Sequence, residues 1–187
     1  MTRTTFAVAT LAVVLLAASS QCVLTGPVVP IKRFVNLTRY SGTWYEQVKI
    51  PQPYTSDCQC NTANYNFKPN LKLVDIHNTC FYANGTKRVA HLQGESRNKN
   101  NTELYVHAGP FGGPYWILAL GDGPDYNHVM IGDPTRSSLW VLSRKVKLED
   151  AILAKLKRRA VELGFDISKL RADPVSTCFK KKMEFLL

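Results

Sequence analysis

Between residues 62 and 68 the side chains alternate, with Ala63, Tyr65 and Phe67 on one side and Asn64, Asn66 and Lys68 on the other. This period of two marks a strand with one buried face. The pattern recurs along most of the chain and predicts strands over residues 44–50, 62–68, 73–80, 88–96, 103–108, 115–120, 126–131 and 138–144. Between them lie segments rich in Pro, Gly, Asn and Asp, the residues that turns require. Asn84-Gly85 is the strongest hairpin signal, whereas the turn at Pro69-Asn70 leaves the pairing of the flanking strands open by one residue. The segment 110–114, with two prolines and two glycines, is expected to be a loop. Alternation assigns Tyr65, Phe67, Val74, Ile76, Asn78, Leu92 and Val106 to inner faces, with Trp140 and Tyr115 beside them. The small residues Gly94, Ser96 and Ala108 on the same faces leave room.

After the eighth strand the period changes. Leu148, Ile152, Leu156, Ala160 and Leu163 recur at steps of three or four, and Gly164 stands where a helix C-cap belongs. One amphipathic helix therefore follows the strands and packs its apolar stripe against the outside of the sheet. Eight short strands and a turn every ten or so residues fit a sandwich or an up-and-down barrel. Trp44 favours closure. It follows Gly42 at the start of the first strand, and its ring needs a partner for its face and its N–H. Arg144, at the end of the last strand, is the expected partner, and a first and a last strand that need each other imply a closed sheet.

At 187 residues the chain has room for one domain. Met1-Thr2-Arg3 is a positive start, residues 6–18 are apolar, and Ala18-Ser19-Ser20 is a small-residue cleavage site. Residues 1–20 are therefore expected to be a signal peptide and residues 21–187 a single secreted domain. In an oxidising compartment the five cysteines are disulfide formers rather than zinc ligands. Asn36, Asn84 and Asn100 each begin an Asn-x-Thr glycosylation acceptor.

The formal net charge is +10. Its densest runs, residues 155–159 and Lys180-Lys181-Lys182, lack interleaved aromatics, which argues against nucleic-acid binding. They fit a solvated helix face and a basic tail, with peripheral attraction to anionic lipid or acidic partners as a functional use. His77, His91, His107 and His128 are scattered through the sequence, with neither metal-ligand spacing nor a nucleophile partner. No metal or cofactor is expected.

The mature chain resembles the lipocalin family over nearly its whole length. Gly42-x-Trp44, Asp125-Tyr126 and Arg144 match the family's three signatures in order. The wording Trp44-Tyr45-Glu46, Lys49-Ile50-Pro51, Ala63-Asn64-Tyr65 and Pro114-Tyr115-Trp116 is similar to the apolipoprotein D and bacterial lipocalin branch. The resemblance implies an all-β, eight-stranded antiparallel up-and-down barrel with one helix outside. It also implies a closed end built on Gly42, Trp44 and Arg144, and a Cys60–Cys178 disulfide. With those cysteines assigned, Cys80 falls opposite residue 59 or 60 in the hairpin register, and Cys58 is its expected partner. Cys22 is left over.

A barrel of this size encloses one small ligand. The expected function is a secreted carrier of a small hydrophobic molecule (fatty acid, sterol, retinoid, carotenoid or bilin), bound by Tyr65, Phe67, Val74, Ile76, Leu92, Val106, Tyr115 and Trp140. No catalytic residue is expected. An enzyme of the same fold would need a reactive cysteine, and a surface-interaction protein would act through the basic helix.

Overall fold

The computed structural model describes residues 26–179. The expected signal peptide, Cys22 and Lys180-Lys181-Lys182 lie outside the described residues. In chain order the elements are α1 (Leu37–Tyr40), β1 (Gly42–Lys49), β2 (Cys60–Lys68), β3 (Leu73–Phe81), β4 (Lys87–Ser96), β5 (Glu103–Ala108), β6 (Phe111–Leu120), β7 (His128–Gly132), β8 (Leu139–Ser143), α2 (Asp150–Glu162), β9 (Arg171–Ala172) and α3 (Val175–Cys178). Strands β1 to β8 pair antiparallel with their sequence neighbours, and β8 also pairs with β1, so the sheet closes into an eight-stranded barrel. This is the expected architecture.

Alternation sorts the apolar residues into two cores. The inner one holds Trp44, Ala63, Tyr65, Val74, Ile76, Leu104, Ile117, Val129, Ile131 and Leu142. The outer one joins Val48, Leu118, Met130, Leu139 and Val141 of the barrel to Leu156, Ala160 and Leu163 on α2 and to Phe165 beyond it. Strands facing helix and lumen are thus apolar on both sides, whereas β3 and β4 carry polar residues outside. The helix ends as expected: Gly164 adopts φ +82, and the Phe165 N–H donates to the Ala160 carbonyl at 3.0 Å.

Four details differ from the sequence-based expectation. Residues 69–72 make a four-residue turn with Lys72 at φ +53, so Lys68 opposes Leu73 and Cys80 opposes Asn61, not residue 59 or 60. Of the expected 110–114 loop, residues 111–114 are strand. The chain reverses on Gly109, at φ +60, and Pro110, so that Phe111 already opposes Ala108. Tyr126 is not in a strand but in a turn at φ +56, and β7 begins at His128. Finally, β9 adds to β1 where β2 diverges from it.

Candidate functional site

The end at which β1 begins is closed. Gly42 enters the strand at φ +97, and a Cβ there would lie 3.3 Å from Arg144 Nη1. Trp44 is fully buried and donates its indole N–H to the Tyr40 carbonyl at 2.9 Å. The Arg144 guanidinium lies 3.8 Å from the centre of the Trp44 ring. Its nitrogens donate to the carbonyls of Asp125, Thr43, Arg39, Tyr40 and Ser41 at 2.8–3.1 Å. One side chain just beyond β8, which ends at Ser143 rather than at Arg144 as expected, thus ties together the α1–β1 corner and the turn before β7.

Above this floor, Leu92, Val106, Tyr115 and Trp140 pack against the inner core, yet each stays partly exposed. Side chains near the floor are 0–7% exposed. Further along the same inner faces Asn78, Ala90 and Ala108 are exposed. This gradient describes a lumen open at one end. The turn Pro53–Thr55 lies at that end, where Arg88 donates to the Tyr54 carbonyl at 2.7 Å.

All eight expected ligand-contact residues therefore belong to the inner core or pack against it. Of these eight, Val74 and Ile76, at 2% exposure, are the most enclosed, followed by Tyr65 at 6%. The expected glycosylation acceptors Asn36, Asn84 and Asn100 are exposed, although the Asn100 side-chain amide donates to the Lys32 carbonyl at 3.0 Å. The structure joins Cys58 to Cys80 and Cys60 to Cys178, with Cα separations of 5.3 and 6.5 Å.

Two polar groups inside the barrel escaped the sequence reading. The Tyr40 and Tyr115 hydroxyls are 2.6 Å apart, and that of Tyr115 is 3.0 Å from that of Tyr65. Burial pushes all three phenols up, Tyr65 to about 12, so they stay neutral donors and acceptors. The second group forms where a bulge between Glu46 and Val48 brings Glu46 and Lys49 together. Lys49 Nζ lies 2.6 Å from Glu46 and 3.2 Å from Asp173, and Asn61 donates to both carboxyls. Burial, reinforced by Asp173, pushes the Glu46 carboxyl up to about 8. Burial also raises Asp173 against the pull of Lys49. Burial alone would lower the Lys49 ammonium, but its two carboxyl partners outweigh it and raise the pKa. A glutamate and a lysine three residues apart in the first strand were the available signal, while Asp173 reaches them only through tertiary structure.

The fold gathers three of the four histidines that are scattered in sequence. His77 and His91 oppose each other across β3 and β4 with ring centres 4.5 Å apart, and His107 lines the same outer concavity. Among the described residues no group of three or more His, Cys, Asp or Glu is arranged to hold a metal ion.

Residues 35–175 match the family model of a lipocalin-like domain. The chain belongs to the lipocalin family. Among its relatives, this lipocalin is 32% identical to temperature-induced lipocalin-1 of Arabidopsis thaliana over 153 residues, covering 76% of this chain and 80% of that one. It is 29% identical to the outer membrane lipoprotein Blc of Escherichia coli over 167 residues, covering 87% and 91%. Its fold is that of insecticyanin from the tobacco hornworm Manduca sexta, at a TM-score of 0.60 and 19% identity, with 78% of this chain and 83% of that one aligned.

Proposed function

We propose that this lipocalin is a secreted carrier that takes a small hydrophobic molecule into its lumen and acts by binding rather than catalysis. The observation that carries the proposal is the partial exposure of Leu92, Val106, Tyr115 and Trp140, side chains that pack against the inner core. A filled barrel would bury them as it buries Ile117 and Val129. Tyr65, Val74 and Ile76 complete the wall deeper down. Ligand burial in such a lumen gains about 25 cal/mol per Å² of apolar surface, less the cost of association.

Residues 1–20 act as the signal peptide in this proposal, and residues 21–187 form the mature domain. The two disulfides and the exposed Asn36, Asn84 and Asn100 support secretion. Cys58, Cys60, Cys80 and Cys178 are all in disulfides, which supports a binding role over thiol-dependent catalysis. The basic positions of α2 serve peripheral attraction to anionic lipid.

Quenching of tryptophan fluorescence tests the carrier proposal, because Trp140 stands in the wall. Fatty acids, sterols, retinoids, carotenoids and bilins should include at least one saturating ligand, and Val106→Trp should abolish its binding while the far-ultraviolet spectrum is unchanged. Unaltered affinity in that variant would place the ligand elsewhere.

A further inference from the structure

The Tyr40, Tyr115 and Tyr65 hydroxyls form an open chain with two O···O contacts, 2.6 and 3.0 Å long. Each phenol carries one proton. Two hydrogen bonds use two of the three protons, whichever way the chain is directed, so one of the three hydroxyls keeps a free proton. Tyr40 is 2% exposed and Tyr65 6%, and among the described residues none of the three hydroxyls has a further acceptor. A buried donor without an acceptor is costly, so native interiors seldom leave one unmatched. The ring contacts, with centres 5.3 Å apart for Tyr40–Tyr65 and 6.2 Å for Tyr65–Tyr115, hold the three together above Trp44. Tyr115 also stays partly exposed within the lumen wall.

We propose that this chain of phenols is the inner polar subsite of the lumen and donates one hydrogen bond to a neutral oxygen acceptor, a carbonyl or an ether, at the leading end of the ligand. The proposal rests on the carrier reading. It adds the chemical class of the group that goes in first and assigns a role to Tyr40, which lies on α1 just before the barrel.

The charges around the lumen favour a neutral group over a carboxylate. The Arg144 guanidinium below the floor is committed to backbone carbonyls and the Trp44 face. Lys49 is held by Glu46 and Asp173. The phenols, kept neutral by burial, supply a donor without a charge. A carboxylate at this depth would lose its hydration for one neutral hydrogen bond.

The test uses matched ligand pairs on the full, oxidised protein: a steroid ketone, retinal and a long-chain methyl ketone, each beside the hydrocarbon of the same skeleton. Removing an end hydroxyl still leaves one spare proton and removing that of Tyr115 leaves two, so the informative variant is Tyr40→Phe/Tyr65→Phe/Tyr115→Phe. Replacing all partners of a hydrogen-bonded set by groups of the same shape is close to neutral for stability, so this variant should fold with little change in Tm. The wild type should bind at least one carbonyl ligand about five- to tenfold more tightly than its hydrocarbon, and the triple variant should bind the two equally. Equal binding by the wild type, or a preference that survives in the triple variant, overturns the phenol subsite while leaving the carrier reading standing. Binding of neither member of any pair overturns both.

Discussion

Replacing Arg144 removes more than a surface charge. Its guanidinium donates to five backbone carbonyls on two segments and covers the Trp44 ring at 3.8 Å. Three of those carbonyls share Nη2, so about four hydrogen bonds are the useful count, each contributing about 0.5–1.5 kcal/mol. The cation–π contact adds about 0.5–2 kcal/mol. Solvent can reach some of the freed carbonyls, so Arg144→Ala should cost about 3–5 kcal/mol, or a Tm about 10 °C lower for a domain of this size. Arg144→Lys should lose almost as much, because an ammonium cannot reproduce the planar fork. Urea denaturation of both variants, and of Trp44→Leu alone and combined with Arg144→Ala, isolates the ring contact as a coupling energy of about 0.5–2 kcal/mol. A lysine variant as stable as the wild type would show that charge alone, not the carbonyl network, closes this end.

Other perturbations probe separate parts of the structure. Gly42→Ala combines a side chain at φ +97 with a Cβ 3.3 Å from Arg144 Nη1, and should cost about 1–3 kcal/mol by urea denaturation. The Glu46 carboxyl, raised from 4.5 to about 8, binds its proton more tightly in the folded than in the unfolded state. Its stabilising contribution is therefore complete below about pH 4.5 and is lost as pH rises towards 8. Asp122, Asp133 and Asp166, whose pKa values are lowered below 3.8, oppose it only in stronger acid. Glu46→Gln should flatten the fall between pH 5 and 8 and be the more stable protein at pH 8–9 in denaturation curves taken across that range. Paired Cys60→Ser and Cys178→Ser substitutions open a loop closed over 118 residues, and should cost about 3–5 kcal/mol in the same assay.

The parts of the fold legible in the sequence were those governed by local periodicity. The alternation in β2 gives its inner face because solvent and lumen lie on opposite sides of one strand, and the change of period after residue 147 marks α2 for the same reason. Turns were less legible, since a register depends on how many residues the turn takes up. The four residues from Pro69 to Lys72, and the reversal at Gly109-Pro110 that lets Pro114 stand within β6, each moved a pairing or a boundary. The closed end could be inferred from Trp44 and Arg144 because a buried indole and a terminal arginine both require partners. The interior polar groups were hidden for the opposite reason. Tyr40 lies on α1, outside the barrel strands, and Asp173 comes from a segment 124 residues away from Lys49, so no spacing reveals that their partners share one interior.

Whether the barrel encloses a hydrophobic ligand is best decided by native mass spectrometry of the protein purified from its source. A bound species of small mass should appear that organic solvent extracts and that Val106→Trp excludes. A protein that carries no such species, and that binds no member of the lipid panel, would contradict the carrier reading.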